Sequence, residues 1–564
     1  MTETETGRGD IFGGRERQIA FALGVMIALK ILLLFLFAWK SRLVMDEFGQ
    51  LGYAKYLWNG LFDTIEPPKA VGFALFYKLA HLIGWDAPSI LLVGRFQTAL
   101  LACATVAMVY ACARALGESR VRGLAIVLIL LSFSNVLEQI FRTRAEQLAV
   151  FFAVAALLVI LRMRAHRPGA VLIAGLLSGL AFLATQKSVY FNVALGIALV
   201  ADAAMLRRYK AAILRGAWLV LGWAIPLVAY CFIFGGTDPM PVARSLVFGP
   251  VEVATRGAAE YGGLRNFVLQ TLARNALLYV FCFAGMILAA ARIARLDESR
   301  RIALIFSLII TALVFAHDQP WPYVFVMALP FMSLWSLALL DRVAANPPYL
   351  RLSWIALSTA IAISFALNIR YLRDDNAPQL ELVARAEALL EPDQKYFDGI
   401  GMLPNRQEPS TLWLDRHYIL ATLRDGRKSE AYRVFTESPP KLILWSYRMD
   451  DISPVVAPVI RNSYVSVAPN LRMAGRLLYA GKEEIFDVPI AGSYGLYSET
   501  GTPLRGQVEI DGKLLAPPFH LAAGKTTVAL RAGPARALLL PEGAYGGVLK
   551  PGSDNARLFA NIYD

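Results

Sequence analysis

The chain has 564 residues, 57% of them apolar or aromatic (AVILMFWYC) and 18% charged, against about 25% charged in an ordinary soluble domain; this excludes a disordered chain and a simple soluble one. A net charge of +13 does not by itself indicate nucleic acid, because Lys and Arg on the cytoplasmic loops of a membrane protein give the same total. The four cysteines, Cys103, Cys112, Cys231 and Cys282, all lie in apolar stretches and offer neither a disulfide framework nor metal-ligand spacing.

Apolar stretches long enough to span a bilayer, about 20 residues, recur through the first 370 positions and then stop. They lie near 19–38, 89–112, 121–136, 147–161, 170–184, 189–206, 214–234, 271–291, 302–316, 322–340 and 352–369. The expected fold is a polytopic α-helical membrane protein of about eleven transmembrane helices. A shorter apolar segment, 71–84, is expected to be interfacial or re-entrant. Arg8, Arg15 and Arg17 precede the first span and every second loop thereafter is basic, which places the N-terminus on the cytoplasmic side and the tail from 371 outside. The first segment has no small-residue cleavage site and reads as a signal anchor.

The outer loops carry the candidate chemistry. Met45-Asp46-Glu47-Phe48 opens a helix-like stretch; adjacent helical residues point about 100° apart, so one of Asp46 and Glu47 is the candidate base. The alternative is that both merely charge the first turn of an interfacial helix. In Glu66-Pro67-Pro68-Lys69 the prolines stiffen a return toward the membrane, and Glu66 and Lys69 either rim a cavity or snorkel at the interface. Glu138, Arg142 and Glu146 are spaced i, i+4, i+8, as in a helical ion-pair ladder. Arg144 lies off that ladder, and two arginines in a short outer loop break the charge rule, as anion binding would require. Lys187 suits a phosphate as a compact point charge, or else reaches lipid head groups. The loop 235–270, about 35 residues long, exceeds ordinary connections and is expected to be functional. His317, beside Asp318 and ahead of Tyr323, is either an oxyanion donor or a structural histidine.

The tail divides in two. Residues 371–478 mix a helical pattern with short strands such as KLILWSY, an α/β region. Residues 479–564 alternate in short strands between Gly, Asp-Gly and Pro turns, as in a small β-sandwich.

Carboxylates in two outer loops and cations in four suit displacement of an anionic leaving group by a hydroxyl. A carboxylate of ordinary pKa, about 4, cannot deprotonate an alcohol beforehand and must accept the proton as the bond forms. The order of features completes the reading: Met-Asp-Glu after the first span, Glu-Pro-Pro-Lys, then GRFQTALLACATVAMVYACARALG and RTRAEQLAVFFAVAALL. Over roughly residues 15–340 the chain resembles the polytopic GT-C glycosyltransferases, in the branch of protein O-mannosyltransferases and lipid A aminoarabinose transferases.

The resemblance implies a polyprenyl-phosphate sugar as donor and transfer at the extracytoplasmic face. It makes Asp46 the catalytic base and Glu47 its companion, puts Glu146 where relatives carry an acidic residue, often Asp, and matches Lys187 to a basic residue near the donor phosphate. Lys69 replaces the usual leucine after Pro-Pro. His317 and Tyr323 fall in a stretch where relatives carry arginine and tyrosine. The expected protein is thus an inverting glycosyltransferase of the inner (plasma) membrane, residues 1–370 forming its catalytic domain. Arg142, Arg144, Lys187 and His317 would hold the donor phosphate, and Glu66, Lys69, Glu146 and Tyr323 the substrates. The acceptor is an envelope glycan, lipid or protein; the expected partners include membrane lipids and no nucleic acid. No cofactor is required, and a divalent metal is permitted. The alternative is a transporter or flippase of lipid-linked sugars.

Overall fold

A computed structural model describes residues 16–57, 70–257, 265–410 and 423–560. The chain forms two compact units: one of Met1–Ser41, Pro68–Phe73 and Arg95–Asp374, the other of Arg42–Pro67, Ala74–Gly94 and Asp375–Asp564.

The first unit is helical. Among the described residues six helices are long and apolar enough to cross a membrane: α1 (Glu16–Lys40), α4 (Ala87–Ala115), α7 (Ala145–Met163), Gln186–Met205, α10 (Tyr209–Gly235) and α17 (Pro347–Tyr371). A seventh span results if α12 (Arg265–Arg274) and α13 (Ala276–Ala290), bent by 94° at Asn275, act together. Large apolar side chains such as Phe21, Ile213, Val220 and Ile355 lie exposed on these helices, as lipid-facing residues do. The protein is a multi-pass membrane protein.

The other expected spans are helical but shorter or broken. Segment 121–136 is α5 (Arg120–Ser132) followed, after extended Phe133, by α6 (Ser134–Gln139). Segment 170–184 lies in α8 (Pro168–Ala184), and 302–316 falls on α14 (Glu298–Phe315) and its C-cap Ala316. The stretch 322–340 is not one helix: a 3-10 turn, Val324–Met327, is followed by α15 (Leu329–Ser333) and α16 (Ala338–Val343). Pro330 opens α15, since a proline has no N–H to extend a preceding helix. The long loop 235–270 contains α11 (Met240–Gly257) and the start of α12.

Breaks in membrane helices must be repaired by polar side chains, and three of them share one network. The Asn275 amide oxygen accepts the Ser134 N–H at 2.9 Å and its nitrogen donates to Ser134 Oγ at 3.0 Å. Thr271 Oγ1 donates to Asn135 Oδ1 at 2.8 Å, and Asn135 Nδ2 donates to the Pro322 carbonyl at 2.9 Å. The bends at 133, 275 and 322 therefore support one another. Elsewhere α8 and α10 approach closely across Gly175 and Gly222, where a Cβ would come within 2.3 Å of the Leu219 carbonyl and 2.1 Å of the Leu172 carbonyl.

The second unit holds the first loop and the tail. Helix α2 (Met45–Tyr56) carries the Asp46 motif. Lys78 of α3 (Gly72–Ile83) donates to the carbonyls of Lys55 and Leu57, both at 3.4 Å, covering the C-terminal end of α2. Helix α18 (Ala377–Ala388) leads into a sheet of order β1-β2-β4-β3, built from Tyr396–Phe397, Leu442–Leu444, Leu471–Ala474 and Tyr464–Ala468 in that order. Helices Glu430–Glu437 and Tyr447–Ser463 complete this α/β region; Phe397, Ile443, Phe435, Met449 and Val456 form its core. The β-rich remainder starts at Arg476, with β5 (Arg476–Tyr479), β6 (Glu483–Val488), β7 (Gly492–Tyr497), β8 (Gln507–Ile510), β9 (Lys513–Leu515), β10 (Phe519–Leu521), β11 (Gly524–Ala532) and β12 (Arg536–Pro541) in sheets of order β10-β7-β12-β5 and β6-β11-β8-β9. Phe486, Leu496, Val508, Val528 and Leu539 are buried in their common core. Asp511 and Gly512, at φ 48° and 79°, turn β8 (Gln507–Ile510) into β9 (Lys513–Leu515), the left-handed pair a two-residue hairpin needs.

Candidate active site

The helical unit gathers residues from four separate segments. After α6 the chain leaves the helix, and Arg144 is extended at φ −147°, ψ 146° before α7 begins. No continuous ladder forms: Glu138 pairs instead with Arg274 at 2.7 Å. Glu146 sits in the first turn of α7, where a carboxylate is favoured by the helix dipole. Extended Thr185 ends α8, and the 3-10 turn Gln186–Ser188 presents Lys187 ahead of α9 (Val189–Met205).

There Lys187 Nζ donates to Glu146 Oε1 at 2.7 Å and to Tyr323 Oη at 3.1 Å. Arg144 Nε lies 3.4 Å from Glu146 Oε2, and its guanidinium stacks 3.3 Å over the Tyr323 ring. Arg144, Glu146 and Tyr323 are buried. Arg142, also buried, donates from Nε to the Glu138 carbonyl at 2.9 Å and lies 5.2 Å from the Phe141 ring centroid.

His317 adjoins this group. Tyr190, one turn beyond Lys187, meets His317 Nδ1 at 2.9 Å. Burial, reinforced by the nearby Lys187 charge, lowers the His317 pKa to about 4. The ring is therefore neutral at pH 7. With Tyr190 donating to Nδ1, the hydrogen resides on Nε2, which has no hydrogen-bond partner among the described residues.

In the second unit Asp46 and Glu47 part ways. The Glu47 carboxylate is buried and accepts the Val44 N–H at 3.1 Å, capping α2. Asp46, the residue before it, is partly exposed. Lys55, in the last turn of α2, has its pKa lowered to about 7 by burial, against the opposing charge of Glu408. Glu408 is fully enclosed beside Asp398, and burial together with the Asp398 charge raises its pKa well above the usual carboxylate range. Asp398 accepts the N–H groups of Ile400, Gly401 and Met402 at 2.6–2.7 Å. Glu66 and Lys69 lie outside the described residues.

The structure thus brings together Arg144, Glu146, Lys187, Tyr323 and His317, and gives Asp46 and Glu47 different surroundings. Sequence reasoning missed Tyr190, although its position three residues after Lys187, on the same helical face, was a signal. It also missed the Asp398–Glu408 pair, whose ten-residue spacing carries no pattern.

Two domain-of-unknown-function models match the tail, DUF7056 over residues 420–473 and DUF7055 over 476–541. No curated protein matches the sequence. Among solved structures, the chain is similar to the crystal structure of ArnT from Cupriavidus metallidurans bound to undecaprenyl phosphate, at 13% identity and TM-score 0.54, over 80% of this chain and 97% of that one. The same enzyme in the apo state gives 13% identity and TM-score 0.51 over the same shares. The apo oligosaccharyltransferase of Archaeoglobus fulgidus overlaps 91% of this chain and 76% of its own at 12% identity, with TM-score 0.49. The two ArnT structures carry the assignment, which agrees with the motif order in the sequence: the chain has the GT-C fold.

Proposed function

We propose that this protein is an inverting glycosyltransferase that moves a single sugar from a polyprenyl-phosphate donor to an acceptor hydroxyl at the extracytoplasmic face of the plasma membrane. The observation that carries the proposal is the cluster at one end of α9 in which buried Arg144 and half-buried Lys187 both meet the buried Glu146 carboxylate. Two fixed cations around one carboxylate suit an anion, and the ArnT structure of the same fold is described with undecaprenyl phosphate bound.

In the proposed reaction Asp46 accepts the proton of the acceptor hydroxyl while its oxygen attacks the anomeric carbon from the face opposite the leaving group. The new C–O bond forms as the bond from the anomeric carbon to the phosphate oxygen breaks. The electron pair leaves on a polyprenyl phosphate, whose growing charge Lys187 and Arg144 stabilise, with the neutral His317 Nε2–H as a further donor. Tyr323 fixes both cations through its ring and hydroxyl. Arg142 supports the same loop, and Glu66 and Lys69 are assigned to the substrates. Protein cations neutralise a single phosphate; a divalent metal is permitted in addition.

The test is transfer by purified protein in detergent, given radiolabelled polyprenyl-phosphate sugars and a panel of envelope glycan, lipid and protein acceptors, with and without a chelator. Label should reach one acceptor class, and Asp46→Asn should abolish transfer while the protein remains folded. Full activity of Asp46→Asn would overturn the assignment of the base. Flipping of a fluorescent lipid-linked sugar without transfer would favour a transporter.

A further inference from the structure

Helix α2 is held at both ends by the tail. Just before its first turn, Gln379 of α18 brackets Leu43 in the manner of a neighbouring strand: its Oε1 accepts the Leu43 N–H at 2.7 Å and its Nε2 donates to the Leu43 carbonyl at 3.2 Å. The same Nε2 donates to the Leu558 carbonyl at 2.9 Å, tying the end of the tail into the clamp. Gln379 and Leu43 are buried. In the next turn Tyr447 Oη contacts Met45 Sδ, the residue before Asp46, and the Phe559 ring lies 6.2 Å from Phe48, edge to face. At the far end the Tyr56 hydroxyl accepts the Glu408 N–H at 3.3 Å.

A half-exposed aspartate in the first turn of a twelve-residue helix takes its position from that helix. A helix this short has little stability of its own in water, so packing must fix its direction. Leu43 enters α2 three residues before Asp46, and both of its backbone groups are taken by one side-chain amide. An amide, with an acceptor and donors on a single planar group, satisfies both at once; no apolar side chain of similar size does so.

We infer that the tail is a positioning element for the catalytic helix, with Gln379 the residue that sets the entry angle of α2 and through it the Asp46 carboxylate. The inference rests on Asp46 being the base. It gives the α/β region and the turn at Leu558 and Phe559 a role in turnover in addition to any acceptor binding.

The experiment compares kcat and KM for full-length Gln379→Leu, Gln379→Glu and Phe559→Leu with wild type, in detergent and with the donor identified by the transfer assay. Gln379→Leu removes both bonds to Leu43; Gln379→Glu keeps the acceptor and loses the donor. The expected result is kcat falling in the order wild type, Glu, Leu, by about tenfold to a hundredfold for Leu, with donor KM within about twofold. Phe559→Leu, which leaves the clamp in place, should lower kcat less and serves if Gln379→Leu does not fold. In an Asp46→Asn background the Gln379→Leu change should lose most of its effect on residual turnover, because the group it positions is gone. A lowered melting temperature with unchanged kcat, or an equal fold-loss in both backgrounds, would make Gln379 purely structural and overturn the inference. The outcomes separate the two claims: a fully active Asp46→Asn removes the base, whereas an inactive Asp46→Asn beside a fully active Gln379→Leu removes only the positioning role.

Discussion

Helix α9 carries a charged cluster at each end, and the two are built differently. Beyond its first turn stand Lys187, Glu146 and Arg144; thirteen residues on from Val189, ~20 Å along the axis, stands Asp202. Asp202 is fully buried, with Arg301 Nε at 2.6 Å from one oxygen and Arg215 Nη1 at 2.8 Å from the other, and Arg215 also reaches Glu298. Those four charges sum to zero, and the cluster ties α9, α10 and α14 together. In the Lys187 cluster two cations, Lys187 and Arg144, meet the single carboxylate of Glu146, and both also contact Tyr323. Burying a charge is tolerated when it is matched, so the neutral cluster is explained by packing alone; the Lys187 cluster is the one to which the proposed function assigns the donor phosphate.

The largest expected effect falls on neither end of α9. Asp46→Asn keeps the size of the side chain and removes the proton acceptor, and should lower kcat by about 10²- to 10⁴-fold with little change in the melting temperature. Single-turnover kinetics with labelled donor measure it. Asp398→Asn, at a buried carboxylate committed to three backbone N–H groups, should instead affect stability first, which separates a working carboxylate from a structural one in the same unit.

Next come paired substitutions at the two ends of α9. Arg301→Met leaves Asp202 short of one cation and should cost roughly 3–5 kcal/mol of stability, read as a lower melting temperature and detergent half-life, with near-normal KM in the protein that remains folded. Lys187→Met should raise the donor KM and lower kcat together, because it removes the cation that meets both Glu146 and the phosphate. If inorganic phosphate or undecaprenyl phosphate protected both variants equally against heat, the contrast between the two ends would fail.

A smaller effect tests how the tail carries buried acids without cations in excess. Glu408 faces Asp398, Lys55, Arg406, Tyr56 and Tyr396, and burial with the Asp398 charge holds it protonated well above the usual range. The folded chain therefore keeps a proton that the unfolded chain releases above about pH 4. Its stabilisation is full below that pH and is lost as pH rises toward the folded-state value. The wild type should accordingly melt a few degrees lower near pH 8 than near pH 5, and Glu408→Gln should flatten the difference. An unchanged slope in Glu408→Gln would show that another group titrates.

How much of this was legible in the sequence follows from the physics of each signal. Hydropathy finds the six or seven long apolar helices among the described residues, fewer than the eleven spans expected, because a bilayer demands length and apolarity of local sequence alone. It does not reveal the breaks at Phe133, Asn275 and Pro322, which depend on amides and hydroxyls from distant helices repairing one another. The convergence of Arg144, Glu146, Lys187 and Tyr323 was anticipated only as a common set of outer-loop residues; which pairs with which is a tertiary fact. For Asp46 and Glu47 the sequence leaves two roles open, and one hydrogen bond, from the Val44 N–H to Glu47, separates them. The bond from Gln379 to Leu43 spans 336 positions, and no local pattern points to it. The Asp-Gly turn at 511–512 was legible because its signal is wholly local.

The smallest effect concerns Tyr190. Its hydroxyl meets His317 Nδ1 at 2.9 Å, and when it donates there the hydrogen of the neutral ring resides on Nε2. Tyr190→Phe removes only that oxygen, at a net cost of about 1 kcal/mol for the lost bond. The imidazole is then free to carry its hydrogen on Nδ1, leaving Nε2 an acceptor that repels a phosphate oxygen. If the positive end of α9 is the phosphate site, the donor KM should rise by several-fold with the acceptor KM unchanged. His317→Gln, whose amide offers an N–H without tautomers, should no longer respond to the Tyr190→Phe change. A Tyr190→Phe effect of the same size in the His317→Gln background would show that the tyrosine acts by packing alone, and that the histidine is no part of the anion site.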